Sequence, residues 1–204
     1  MTSEHSAPRA SPEKTVTFYV SAAAVGLFLV RVLGAEWSTK FAPVFPDSVS
    51  YLDVASRGPF RPFDERPFVY PSYLWLVGRS SHLAVIGQTV AYTAAFVVLA
   101  VVAWRVLSSR VAAAVAIALV LVIAVQPRYA LWNTQILSES LGITLAVASI
   151  AAWWAFCARP TPRGVIWAWL WTLLWLGTRD SHMLPTIAVI LPTVVGATLL
   201  WRGI

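Results

Sequence analysis

The sequence predicts an all-α membrane protein, a polytopic bundle of about six transmembrane helices with two short juxtamembrane helices in the first extracytoplasmic loop. Of the 204 residues, 58% are hydrophobic and 12% are charged, whereas soluble domains carry roughly 25% charged residues. The mean hydropathy is +0.71. The apolar residues also form six long runs separated by short polar segments, which is the pattern of a multi-pass protein.

The N-terminal part contains a tail and the first predicted span. Residues 1–14 are rich in Ser, Pro, Ala and Glu and predict a disordered cytoplasmic tail, and residues 15–204 form the transmembrane domain. The run 15–35 is long enough to cross a hydrocarbon core of roughly 30 Å. It lacks a small-residue cleavage site, so we predict a retained helix. Arg31 either extends to the interface or faces a site in the bundle.

The first extracytoplasmic loop, residues 36–81, is the main polar stretch and holds most of the acidic residues of the chain. A short helix is predicted over 47–56, with Asp47 as its N-cap and apolar residues on one face. The segment 57–67 contains three prolines and is expected to be irregular. A second short, aromatic-rich helix is predicted over 72–77.

Five further apolar runs predict the remaining spans, at about 82–104, 111–126, 138–157, 165–178 and 183–201. The fifth span is short and could begin or end inside protein. A cytoplasmic N-terminus then places a set of arginines on the cytoplasmic side, as the positive-inside rule requires: Arg105, Arg110, Arg159, Arg163 and Arg202. The same orientation places seven acids at the outer face: Glu36, Asp47, Asp53, Asp64, Glu65, Glu139 and Asp180.

Composition also excludes some functions and suggests a location. The net charge is +6, but the arginines are scattered between apolar runs and form no basic stripe, so no nucleic-acid partner is expected. The single cysteine, Cys157, excludes a disulfide or multi-cysteine metal site within the chain. Richness in Ala, Val, Arg and Trp is compatible with a GC-rich bacterial genome, so we expect a bacterial plasma-membrane protein whose active face is extracytoplasmic.

Three short motifs lie at the outer ends of the predicted spans. Segment 46–55 has the pattern Pro-Asp-Ser-x-x-Tyr-Leu-x-x-Ala, segment 66–71 has Arg-Pro-x-x-Tyr-Pro, and segment 138–141 has Ser-Glu-x-Leu. Together they resemble the GT-C superfamily of integral membrane glycosyltransferases, over about residues 16–201. The resemblance implies that the first outer loop forms two juxtamembrane helices and carries an acidic catalytic base. It also implies a sugar donor linked to a polyprenyl phosphate.

Two features depart from that family pattern. Many relatives have an Asp-Glu pair in the first loop, whereas Asp47 is followed here by Ser48, which argues against the protein O-mannosyltransferase branch. Family members also tend to be about two or three times this length, often with a C-terminal extracytoplasmic domain. We therefore expect a fragment, a reduced member, or one half of a split enzyme.

Transfer of a sugar from a lipid phosphate requires one base and a group of cations. The departing phosphate is already a good leaving group, so no general acid is needed, unlike in glycoside hydrolysis. Asp47 is the candidate base, with a plain N-cap as the alternative. Asp53 lies about 240° around the helix from Asp47 and is expected to be solvated. Guanidinium groups suit phosphate oxygens, and the outer candidates are Arg66, Arg128 and Arg179.

The supporting residues are less specific. Glu139 either orients Arg128 or Arg179, or helps Asp47 to hold a divalent cation such as Mg²⁺ or Mn²⁺; Asp53 is the other acid available. The sequence shows no metal-ligand spacing, so no cofactor is certain. Segment 179–182 is either part of the site or a solvent-exposed turn between two spans. Contacts to donor or acceptor are assigned to Tyr51, Tyr70, Asp180 and His182.

Three functions follow from these observations. The first is an inverting glycosyltransferase that moves a sugar from a polyprenyl-phosphate donor to an extracytoplasmic glycan, lipid or protein acceptor. The second is a non-catalytic GT-C-like subunit that needs a partner membrane chain. The third is a small transporter, which requires polar residues at mid-membrane; spans two to five have few there beyond Gln88, Thr93 and Thr144.

Overall fold

The computed structural model of the chain describes residues 45–59 and 66–178, together with residues 22, 25, 26 and 29. Among these residues helices and turns predominate and no strand occurs, so the all-α class is confirmed for this part of the chain. The elements are α1 (Pro46–Ser56), α2 (Val69–Leu76), α3 (Ser81–Val106), α4 (Arg110–Ala124), α5 (Pro127–Ala130), the 3₁₀ helix η1 (Leu131–Thr134), α6 (Ser138–Ala158) and α7 (Pro162–Leu176).

Hydroxyl side chains cap the N-termini of three of the longer helices. The Oγ atoms of Ser80 and Ser109 and the Oγ1 atom of Thr161 each accept a backbone N–H from the residue three positions further on. Pro162 then occupies the first turn of α7, where its missing N–H has no cost. Because these caps satisfy N–H groups that the helix leaves unpaired, the chain can reverse direction in turns of a few residues.

Two helices, α3 and α6, are long and apolar enough to cross a membrane, with 26 and 21 residues. A third candidate arises if α4 and the segment Arg128–Thr134 together form one broken span. The two pieces are bent by 57° relative to each other. Helix α7 has 15 residues, or about 22 Å at 1.5 Å per residue, which is short of a hydrocarbon core. The described residues therefore provide two or three candidate spans where the sequence predicts four.

Helices α3 and α6 run parallel to each other. Gln88, near the start of α3, hydrogen-bonds to carbonyl groups just before the start of α6, and the two helices pack along their lengths. The short turns then send α4 and α7 back the opposite way. One end of the bundle thus carries Arg105, Arg110, Arg159 and Arg163, and the other carries the acids of the described residues: Asp47, Asp53 and Glu139.

The buried core has two parts. In the middle of the bundle, α3, α4 and α6 meet around Tyr92, Phe96 and Leu121, and Val25 and Leu29 of the first apolar run pack against this cluster. At the acidic end, a second cluster joins α1 and α2 to the starts of α3 and α6: Tyr51, Ala55, Val69, Tyr70, Leu74, Ala84, Ile136, Leu137, Leu141 and Leu145. The two predicted loop helices are therefore packed against the bundle.

Some predicted boundaries are wrong. Phe45 is the N-cap of α1, and Asp47 lies in the first turn, so Asp47 is not the cap. Pro46 shifts the start because its fixed φ suits the first helical position. The second loop helix begins at Val69, three residues before the predicted start at Ser72, and Pro71 lies in its first turn, where its missing N–H is not needed.

Other predictions concern residues outside the described ranges. These are the cytoplasmic tail over 1–14, most of the first span over 15–35 with Arg31, the irregular segment between residues 59 and 66, the span over 183–201, and Arg202.

Candidate functional site

An ion pair joins α1 to the segment that leads into α2. The Arg66 guanidinium donates from Nη2 to Asp47 Oδ1 at 2.5 Å and from Nε to Ser50 Oγ at 3.0 Å. Its Cζ lies 5.0 Å from the centroid of the Tyr51 ring, a cation–π distance. Positions 47, 50 and 51 share one face of a helix, so a single guanidinium reaches all three residues.

The Arg66 guanidinium stays charged, and both side chains of the pair are accessible. The hydrogen bond with Asp47 raises the pKa of Arg66 above its ordinary value, against the opposing effect of partial burial. The side chain of Asp47 is 60% exposed and that of Arg66 is 30% exposed, so a ligand can approach both groups. The hydrogen bonds to Asp47 and Ser50 use two of the five N–H donors of Arg66.

Two tyrosines connect this pair to the bundle. The Tyr51 hydroxyl donates to Ser138 Oγ at 3.0 Å, and the Tyr51 and Tyr70 rings meet edge to face with centroids 5.0 Å apart. The Tyr70 hydroxyl donates to Gln88 Oε1 at 3.4 Å. Burial raises the pKa of Tyr70 far above its usual range, so its phenol stays neutral. Both tyrosines are buried and hold α1 and α2 in place.

Close backbone approaches hold α2 against α3 and α7. The Val69 N–H donates to the Gly177 carbonyl oxygen at 3.1 Å, and a Cβ atom on Gly177 would lie 2.6 Å from Val69 Cγ2. The Tyr73 hydroxyl donates to the Ala84 carbonyl oxygen at 2.6 Å, and a Cβ atom on Gly87 would lie 2.5 Å from that hydroxyl. Both glycines thus make room for the second loop helix.

The turn before α6 is fixed by one buried amide. Gln88 Nε2 donates to the carbonyl oxygens of Asn133 at 2.6 Å and Gln135 at 2.7 Å. Ser140 Oγ in turn donates to Asn133 Oδ1 at 2.5 Å. Because buried backbone carbonyls need partners, Gln88 holds the non-helical turn against α3 and so sets the position of Glu139 at the start of α6.

An open cleft of about 270 Å³ lies beside the start of α6. Its polar and aromatic walls come from the bend after α4, from the first turn of α6 and from the end of α7. Its apolar walls come from the next two turns of α6. The lining residues are Arg128, Tyr129, Trp132, Glu139, Gly142, Ile143, Ala146 and Trp175.

The predicted site residues fall into three groups, and Asp53 belongs to none of them. Asp47, Arg66, Tyr51 and Tyr70 lie together in the loop helices, whereas Arg128 and Glu139 line the cleft. Asp53 forms an ion pair with Arg57 on its own helix, separate from Arg66. The third group, Arg179, Asp180 and His182, lies outside the described ranges.

Sequence reasoning did not assign several residues of this region to the site. Ser50 hydrogen-bonds to Arg66 and Ser138 to Tyr51, both of which are predicted site residues. The sequence signal for the two serines is their position, because Ser50 lies three residues after Asp47 and Ser138 lies next to Glu139. Trp132 and Trp175 line the cleft, but nothing in the sequence distinguishes them from tryptophans that anchor at the interface. Within residues 45–59 and 66–178, no group of three or more His, Cys, Asp and Glu residues could hold a metal ion.

Comparisons with known proteins add no family assignment. The chain matches no family model, no curated protein and no solved structure. The function must therefore be argued from the geometry of these residues.

Proposed function

We propose that the chain is an inverting glycosyltransferase of the GT-C type, which moves a sugar from a polyprenyl-phosphate donor to an extracytoplasmic acceptor. The observation that carries the proposal is the accessible Asp47–Arg66 pair at the surface of two packed loop helices. In this pair a carboxylate oxygen and a guanidinium nitrogen lie 2.5 Å apart, at the end of the bundle that holds the acids of the described residues.

The chemistry needs both partners. The acceptor hydroxyl attacks the anomeric carbon, the bond from that carbon to the phosphate oxygen breaks, and the hydroxyl proton passes to Asp47. The donor phosphate accepts from N–H groups of Arg66 that Asp47 and Ser50 do not use, and these stabilise the charge that develops as the phosphate leaves. Ser50 and the Tyr51 ring hold the guanidinium in place for this role.

The proposed orientation follows from the distribution of charge. The connections 107–109 and 159–161 are short and lie beside or include Arg105, Arg110, Arg159 and Arg163, and the positive-inside rule, which applies to short loops, would place this end at the cytoplasm. The loop helices would then lie at the outer surface of a bacterial plasma membrane, where a polyprenyl-linked donor and a glycan, lipid or protein acceptor meet. A divalent cation is not required by this scheme, because Arg66 already supplies positive charge.

The test is transfer of a radiolabelled sugar from polyprenyl-phosphate donors in membranes that express the chain. Asp47→Asn removes the base without changing its size, and we expect a loss of about 10²- to 10⁴-fold, the usual contribution of a general base. Asp53→Asn is the matched control, because Asp53 is also an exposed acid of α1 in an ion pair with an arginine. Equal activity of the two variants would refute the role of Asp47.

A second function is favoured by the same ion pair. The Arg66 bond occupies the Asp47 carboxylate, so the pair could serve only to lock the loop helices, as in a non-catalytic subunit that supports a partner membrane chain. That alternative predicts no transfer by the chain alone with any donor sugar. It also predicts that Asp47→Asn weakens co-purification with the partner chain.

A further inference from the structure

The cleft beside α6 has a polar end and an apolar end. Glu139, Gly142, Ile143 and Ala146 line it, and their spacing of three, four and seven residues places them on one face of the helix. Seven residues of helix extend about 10 Å. The cleft therefore begins at the charged start of a candidate membrane span and continues down its apolar face, in the direction in which a lipid lies in a bilayer.

The polar end carries both signs of charge and several aromatic rings. Arg128 supplies a guanidinium, Glu139 supplies a carboxylate, and Tyr129, Trp132 and Trp175 surround them. Guanidinium groups bind phosphate oxygens, and aromatic rings together with a carboxylate bind ammonium groups. Glu139 also interacts with other groups of the protein, but a carboxylate has about four acceptor positions and can take an ammonium N–H in addition.

We propose that this cleft binds one phospholipid with a phosphoethanolamine headgroup. The phosphate bonds to Arg128, the ammonium lies between Glu139 and the aromatic rings, and the first part of an acyl chain covers Gly142, Ile143 and Ala146. The charges of the headgroup complement those of the cleft. The binding involves no covalent step, and it does not depend on the glycosyltransferase activity proposed above.

Two other ligand classes fit less well. An anionic phospholipid without an ammonium group could pair its phosphate with Arg128, but it would bring no positive charge to Glu139. A choline headgroup suits the aromatic rings but has no N–H to donate to the carboxylate. The volume of about 270 Å³ is at the low end for small-molecule sites, so the cleft holds a headgroup and part of a chain.

The test uses the purified full chain in detergent, mixed with equal amounts of phosphatidylethanolamine, phosphatidylglycerol and phosphatidylcholine. Native mass spectrometry then counts the lipids retained. We expect preferential retention of phosphatidylethanolamine. Glu139→Gln should lower its ratio to phosphatidylglycerol by about tenfold, the effect of losing one charge-assisted hydrogen bond. Arg128→Gln should reduce retention of both lipids and leave their ratio nearly unchanged.

Two bulky substitutions test the apolar end. Ala146→Trp should fill the cleft and reduce retention of all three lipids. Ile150→Trp is the matched control, because Ile150 lies one turn further along α6, is exposed and does not line the cleft. An unchanged ratio in Glu139→Gln, a preference of the unmodified chain for either other lipid, or equal retention by the two tryptophan variants would overturn the proposal. None of these results depends on sugar transfer, so its failure is distinguishable from failure of the proposed enzyme.

Discussion

The buried amide of Gln88 provides the sharpest test of how the site is held. Gln88→Met keeps the length and approximate volume of the side chain but removes its two short hydrogen bonds to the turn before α6, together with the longer bond that it accepts from the Tyr70 hydroxyl. Loss of each short bond leaves a buried carbonyl unsatisfied, at about 1–3 kcal/mol, whereas interhelical bonds in membrane proteins average about 0.6 kcal/mol. For the two bonds together these limits correspond to about 1–6 kcal/mol, and we expect the free energy of unfolding to fall by about 2–4 kcal/mol.

The measurement is equilibrium unfolding in mixed micelles with a rising fraction of sodium dodecyl sulfate, followed by circular dichroism. The matched control is Thr89→Val, at the next position of α3. Thr89 is also buried, but its hydroxyl donates only to the Val85 carbonyl within the same helix, so its loss should cost less than about 1 kcal/mol. If Gln88→Met is no less stable than Thr89→Val, the amide does not hold the turn and the argument fails.

Two further predictions concern α2. Gly177→Ala should lower stability by about 1–3 kcal/mol, the usual cost of overpacking, because the new methyl meets Val69 at 2.6 Å. Gly26→Ala is the control, because no atom of the described residues lies within 4 Å of its Cβ position; equal thermal stability of the two variants would contradict the docking. Burial raises the pKa of Tyr73 to about 12, so the folded chain holds this proton more tightly than the unfolded chain and should lose stability between about pH 10 and 12. Tyr73→Phe should lessen that loss in denaturation curves, and an unchanged pH dependence would show that the phenol is not buried.

The existence of the loop helices could be predicted because it depends on local sequence. Pro46, the apolar spacing over 47–56 and the aromatic run near Pro71 favour two short helices whatever they pack against. Both helices are present in the structure. Their boundaries shifted by up to three residues because a proline is tolerated at more than one position of a first turn.

The contacts of the site could not be predicted because they join distant positions. Arg66 and Asp47 are 19 positions apart, across a proline-rich segment whose path no periodicity defines. The sequence presents Gln88 as a mid-membrane polar residue of the kind that transport requires, whereas its short hydrogen bonds go to backbone carbonyls 45 and 47 positions away. The sequence does not show which backbone carbonyls lack a partner in their own helix, so this role of Gln88 could be found only from the structure.

The link between Tyr51 and Ser138 also sets an order of events during synthesis. The two residues are 87 positions apart in the chain, so α1 is made long before the start of α6 exists. At about 5–20 residues per second, the ribosome needs roughly 4–17 s to supply that partner. The hydrogen bond of Val69 to Gly177 waits for the end of α7 in the same way. The contacts that hold α1 and α2 against the bundle are therefore completed late in biogenesis, only after α6 and α7 have been synthesised.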